Sequence, residues 1–202
     1  SGDGTQKWLH QLDPVSNDTA LAVTVDASGN VYYGGQVNGP IASGQTRVGG
    51  LDGYITKLDN KGAVVSRQQV GTTGTDQVSQ MATTADGGLV VASVQNGHAI
   101  VTKYASGDPT SAPAWQMDLG DLQNGTIGGI AVDGNNVYVS GTTSNGSLTA
   151  GGQASVANAA SGSSDAFVFG LSDAGASASA NFVSYVGTST SDLGGAIAVS
   201  NG

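Results

Sequence analysis

Cysteine is absent from the 202-residue chain, which excludes disulfides, thiolate metal sites and cysteine nucleophiles. Glutamate is absent too, so all 15 acidic residues are aspartate. Aspartate bonds nearby backbone and favours turns where glutamate favours helix interiors, so this bias points to strands and loops. Basic residues number only 6, none follows Lys103, and the net charge is −9. Such a surface repels a phosphate backbone and an anionic bilayer alike, which argues against nucleic acid as a partner and against membrane insertion. No apolar run approaches the ~18 residues of a membrane span. No charged n-region leading into an apolar h-region opens at Ser1, so an export signal is expected to be absent or already removed. Aromatics make up 5% and charged residues 10%, against 33 glycines, a turn-rich and helix-poor composition. The 38% hydrophobic fraction still offers enough apolar surface to offset the entropy of ordering.

What is present repeats. Residues 18–35, DTALAVTVDASGNVYYGG, read as a β-hairpin. Apolar residues alternate at Leu21, Val23 and Val25, a D-x-x-G-N turn follows, and Val31, Tyr32 and Tyr33 form the return strand. The pattern recurs from Asp76 (DQVSQMATTADGGLVVAS) and, with one deletion in the turn, from Gly125 (GTIGGIAVDGNNVYVSG). It begins again at Asp192 (DLGGAIAVSNG). The flanks follow the same register. WLHQL from Trp8 matches SRQQV around Gln68, WQMDL from Trp115 and FVSYV from Phe182. DGYITKLD from Asp52 matches HAIVTKYA from His98 and DAFVFGLS from Asp165. Lys57 and Lys103 share a slot that Gly170 takes in the third copy, and Gly62, Gly107 or Gly175 marks the following turn.

Each unit therefore holds four short strands, and four strands in about 40–50 residues is the pattern of a β-propeller blade. The expected fold is all-β, a β-propeller of four-stranded antiparallel blades, about three complete with part-blades at both ends, in a single segment over 1–202. The blades are expected at approximately 20–70, 78–119 and 126–186, with orphan strands at 6–12 and 194–200. Propellers close with about four to eight blades. The chain is accordingly expected to be a segment of a longer ring, partnered by the remainder of its own propeller or, alternatively, by self-association.

The consensus of the first unit comprises Trp8, Asp18, Asp26, Gly29, Asn30, Val31, Tyr32, Gly35, Asp52, Tyr54, Ile55, Lys57, Leu58 and Gly62. It resembles the SBBP repeats of bacterial β-propellers, and the resemblance extends over nearly the whole chain. The second copy departs from it, with no tyrosine in its hairpin and Ser66 where the aromatic residue stands. The resemblance implies an architecture and no particular reaction.

In an up-and-down blade the second-to-third-strand connections share one end with the loops between units. Those connections vary: 36–51 is long, 95–97 is a minimal hairpin, and 143–164 is as long as a hairpin itself. Variable insertions at one end of a repeat protein mark its binding face, the plainer alternative being tolerated insertions. Asn38, Arg47 and Asn145 on these loops are the candidate contacts for a protein or glycan, together with Asp18, Asp76 and Asp192. The three aspartates open inner strands and are expected to ring the channel, where carboxylates could hold Ca²⁺ through hard oxygen ligands. A residue recurring in every unit more simply caps its turn, and Gly125 interrupts the ring. No other cofactor is indicated.

No G-x-S-x-G, H-E-x-x-H, P-loop or G-x-G-x-x-G occurs, so no catalytic residue is assigned. His98 occupies the slot of Asp52 and Asp165, and a local hydrogen bond is its expected role. Lys57 and Lys103 are expected to pair with neighbouring carboxylates, and Trp8, Trp115 and Phe182 to pack between units. The reading is a non-enzymatic scaffold of an exported bacterial surface or appendage protein, extracellular or on the cell surface, with the periplasm as the alternative compartment. A polysaccharide hydrolase or lyase using the channel-facing aspartates is one alternative, and a structural surface domain of a filament subunit is another.

Overall fold

The computed structural model describes residues 4–11 and 18–200, and among them there is no helix. The fold is all-β, with thirteen strands in three sheets. Sheet one runs β1 (Thr19–Val25), β2 (Val31–Val37), β3 (Asp52–Leu58), β4 (Val64–Val70), in that spatial order. Sheet two repeats the order with β5 (Asp76–Thr83), β6 (Leu89–Gln95), β7 (His98–Tyr104) and β8 (Trp115–Asp121). Sheet three is built from β9 (Thr126–Asp133), β10 (Asn136–Thr143), β11 (Ser155–Asn158), β12 (Asp165–Asp173) and β13 (Ala178–Val186). Its spatial order is β11-β13-β12-β10-β9.

Local chemistry sets the hairpins. In the β1–β2 turn, Asp26 Oδ1 accepts the Ser28 and Asn30 amides, each at 2.9 Å, and Gly29 supplies the left-handed residue at φ 80°. The β5–β6 turn has the same main-chain bonds, with Gly87 at φ 86°. Strand alternation then sends apolar side chains into two layers between sheets. Tyr32 and Ile55 of sheet one meet Val78, Leu89 and Val91 of sheet two. Val90, Val101 and Trp115 of sheet two meet Val139, Phe167 and Phe169 of sheet three. Strand β5, at one edge of sheet two, contacts the edge strands β1 of sheet one and β9 of sheet three.

The sheets are clasped at their strand ends by residues from the same slot of successive units. Lys57 Nζ donates to the Gly107 carbonyl at 3.1 Å, crossing from sheet one to the β7–β8 turn of sheet two. Lys103 Nζ crosses in the same way from sheet two to Asp173 of sheet three. Trp115 Nε1 donates to the other oxygen of that carboxylate at 2.9 Å. In the third unit Gly170 leaves the slot to an aromatic ring, since a Cβ there would lie 2.4 Å from Phe182.

Among the described residues the sheets form no closed propeller. Two expectations need correction. The orphan strands expected at 6–12 and 194–200 are not strands: 6–11 and 194–200 carry no ladder, and residue 12 lies outside the described residues. Instead of pairing edge to edge, 194–195 docks on β10 through hydroxyls. Ser140 Oγ donates to the Gly195 carbonyl at 2.6 Å, and the Gly194 amide donates to Thr142 Oγ1 at 2.9 Å. The third unit is not four-stranded either. Its long connection carries β11, which pairs in parallel with β13 and covers the outer edge of the sheet.

Candidate functional site

The connections between β2 and β3, between β10 and β12 and between the sheets gather at one end of the molecule. Main-chain bonds link them: the Gly50 amide donates to Gly74, the Asp76 amide to Leu51, and the Ser144 amide to Leu122. Two junctions at this end are built alike from a G-x-x-D segment and a G-T-x-x-x-D segment. They are 49–52 with 71–76, and 162–165 with 187–192. In the first, Asp76 accepts the Thr72 amide at 2.7 Å, the Thr72 hydroxyl at 2.9 Å and the Asn96 amide at 2.9 Å. In the second, Asp192 accepts the Thr188 amide at 2.6 Å and the Thr188 hydroxyl at 3.1 Å. Asp52 Oδ2 accepts the Val48 amide at 2.9 Å, and Asp165 Oδ2 accepts the Ser161 amide at 2.8 Å. The Leu51 and Ser164 carbonyls receive the Asp76 and Asp192 amides at 2.8 and 2.9 Å. Gly71 and Gly187 sit between the two carboxylates of their junctions, where any Cβ would strike Asp52 or Asp165. Asp76 and Asp192 thus close their own turns, and Asp76 also ties the start of sheet two to the loop of sheet one.

Three of the six candidate contacts do come together. Asp18 Oδ1 accepts the Asn38 amide at 3.4 Å, and Arg47 Nη1 donates to Asn38 Oδ1. Asn38 and Arg47 are exposed, at the rim of a loop whose underside is anchored in the fold. Ile41 is buried against Val37 and Tyr54, its carbonyl accepts Arg67 Nη1 at 3.2 Å, and Gln45 Oε1 accepts the Gln69 amide at 2.7 Å. Asn145 belongs to a different constellation. Its Nδ2 donates to the Asp121 carbonyl at 2.8 Å and its Oδ1 accepts the Ser147 amide at 2.9 Å. Beyond it Leu148 is fully buried, its amide donating to Tyr185 Oη at 2.7 Å.

Among the described residues no group of three or more His, Cys, Asp or Glu side chains stands together in a way that could hold a metal ion. The carboxylates at 18, 76 and 192 each serve a separate loop. His98 Nδ1 lies 2.9 Å from Asp118 Oδ2, an exposed pair on neighbouring strands β7 and β8.

At the opposite end of the sheets, Lys103 has the carboxylate partners expected of it, Asp86 and Asp173, whereas Lys57, expected to pair likewise, makes no ion pair among the described residues. Lys103 is 1% exposed and Asp173 7%. Burial alone raises the Asp173 carboxyl, but the bonds from Lys103, Trp115 and the Gly175 amide outweigh it and hold the group below its ordinary value. Asp86 Oδ2 also accepts Lys103 Nζ, at 2.9 Å, and bonds from Thr84 and Lys103 hold its carboxyl down to about 2. The recurrence of Lys57 and Lys103 was the available signal. Asp173 is unrepeated and offered none. At the same end, between the β1–β2 and β5–β6 turns, lies a cleft of about 510 Å³ bordered by Asp26, Asn30, Lys57, Thr84 and Ser106.

No family model matches the chain. It is similar to the "Regulatory protein FlaEY" of Caulobacter vibrioides, 28% identical over 232 residues, a match covering 98% of this chain and 24% of that protein. The chain thus spans about a quarter of the length of the curated relative it matches. A solved structure, the tail fiber of Staphylococcus aureus phage P68, aligns with a TM-score of 0.27 at 11% identity, covering 87% of this chain and 40% of that one.

Proposed function

We propose that the chain is a non-enzymatic interaction domain that binds a protein or glycan through the loop end carrying Asn38 and Arg47. The observation behind this reading is a division of labour between repeated and unrepeated residues. Repeated carboxylates and the buried lysine serve the fold: Lys103 joins sheet two to Asp173 of sheet three, and Asp76 and Asp192 close their own turns. The unrepeated loop at 38–49 has a buried underside and an exposed polar rim, the arrangement of a rigid recognition loop. A relative named a regulatory protein is compatible with action by binding. Asp18, Asp76 and Asp192, the aspartates that a propeller hydrolase would use, do not line the clefts beside Lys57, Tyr104 or Met117.

The same reading takes the three sheets as consecutive blades of a propeller of the SBBP type, in an exported bacterial surface or appendage protein. It rests on the repeated strand order, the inner-strand row β1, β5 and β9, and the low-lysine, cysteine-free composition. The test is a glycan array and a pull-down with wild type and with Asn38→Ala/Arg47→Ala. Loss of a wild-type ligand in the folded double variant supports the proposal; a ligand retained at full strength removes this loop from it.

A further inference from the structure

We propose that the cleft between the β1–β2 and β5–β6 turns binds the carboxylate of an acidic sugar residue, with Lys57 Nζ as its cationic partner. The argument comes from comparing two junctions of one molecule. At the junction of sheets two and three, Lys103 is buried and its ammonium is satisfied by two carboxylates, Asp86 in the turn of its own sheet and Asp173 in the next. At the junction of sheets one and two, the same slot holds Lys57 and both carboxylates are missing. Ser28 stands where Asp86 does, each just before the left-handed glycine of its hairpin turn, Gly29 or Gly87. Ala105 stands two residues before Gly107, where Asp173 stands before Gly175.

What remains for Lys57 is the Gly107 carbonyl at 3.1 Å, the hydroxyl and face of Tyr32, with Nζ 5.1 Å from the ring centroid, and the more distant charge of Asp108. Among the described residues it makes no ion pair. Two carboxylates lie nearby, and both are held by their own turns. Asp26 accepts from Ser28, Asn30 and the Tyr32 hydroxyl, and Asp108 accepts the Thr110 amide and hydroxyl. The missing carboxylates leave an opening of about 510 Å³ in place of a closed clasp, room for a sugar residue. An ammonium with a donor to spare and no carboxylate bound to it calls for an anionic oxygen ligand. Besides Asp26, whose carboxylate is held by its own turn, the polar wall is hydroxyl and amide, from Ser28, Asn30, Thr84 and Ser106, which suits the hydroxyls of a sugar ring better than an apolar ligand. The site lies at the end of the sheets opposite Asn38 and Arg47, so it stands independently of the proposed loop-end function.

Calorimetric titration with oligogalacturonate, its uncharged methyl ester and an oligo-aspartate peptide tests this. The proposal expects the acidic oligosaccharide to bind, and the ester and the peptide to bind at least about tenfold more weakly, the scale of one charge-assisted hydrogen bond. Lys57→Met is expected to weaken binding by a similar factor. Ser28→Asp/Ala105→Asp, which supplies the two carboxylates of the other junction, is expected to abolish binding and raise the thermal midpoint. The double variant decides the matter alone if Lys57→Met fails to fold. The proposal is overturned by no binding of oligogalacturonate at millimolar concentration, by equal binding of the ester, by tighter binding of the peptide, or by full binding in the double variant.

Discussion

Lys103 of sheet two and Asp173 of sheet three form an ion pair that joins two sheets and is buried on both sides. Removing one member of such a pair leaves an uncompensated charge inside the protein, at a cost of about 3–5 kcal/mol. Asp173→Ala is therefore expected to lower stability by about that amount, because Lys103 keeps only the largely exposed Asp86. Urea denaturation should show the midpoint falling while the slope is unchanged.

The same network fixes the pH response. Asp173 and Asp86 are held below their ordinary value of 3.8 in the folded protein. A carboxyl with a lowered folded value stabilises fully above its unfolded value, and that contribution is lost as the pH falls through the folded one. Stability should therefore drop from about pH 4 toward about pH 2. Burial lowers Lys103, but its two carboxylates outweigh this and leave it raised above 10.5, so its contribution is lost only as the pH rises beyond that value. Asp173→Asn should flatten the acid limb of a stability–pH curve. Asp86→Asn should change it much less, because the solvent around Asp86 screens the charge.

Trp115 adds a second donor to the same carboxylate. Trp115→Phe keeps most of the packing and loses the 2.9 Å bond from Nε1 to Asp173. The expected loss is about 1.5–3 kcal/mol, the range for a hydrogen bond to a charged group. Chemical denaturation should report it, and no such loss should appear for Trp115→Phe in an Asp173→Ala background, where no acceptor remains.

The interlocked turns at the other end make a steric prediction. A Cβ on Gly187 would lie 1.7 Å from Asp165 Oδ1, so Gly187→Ala must displace a buried carboxylate. Overpacking of this kind costs about 1–3 kcal/mol or more. A Cβ on Gly195 would meet nothing within 4 Å, so Gly195→Ala serves as a near-neutral control in the same thermal-denaturation series.

Much of this architecture was legible in the chain because repetition amplifies weak signals. Period-two alternation around D-x-x-G-N marked β1 and β2 to within a residue, and the Asp52 and His98 registers marked β3 and β7. β11 was not legible. SVAN has no counterpart in the other units, is exposed throughout, and becomes a strand only because β13 offers it an edge. Residues 194–200 misled for the opposite reason. They carry the strand pattern, but a strand needs a ladder partner, and what 194–197 meet is the hydroxyls of β10 and the glycine backbone of β9 at Gly128 and Gly129. At the loop end, Asp76 and Asp192 could be read as turn-closing residues from their recurrence. The Asp18–Asn38–Arg47 grouping depends on a loop folding back over sheet one, which no local pattern encodes.

Hydrogen–deuterium exchange with a captured protein or uncharged glycan ligand tests the central claim most directly. The account predicts ligand-dependent protection in the loop-end segments 38–50, 71–76 and 121–125, with the repeated hairpin turns unchanged. Protection confined to the hairpin-turn end, at 26–30, 84–88 and 105–108, would contradict it.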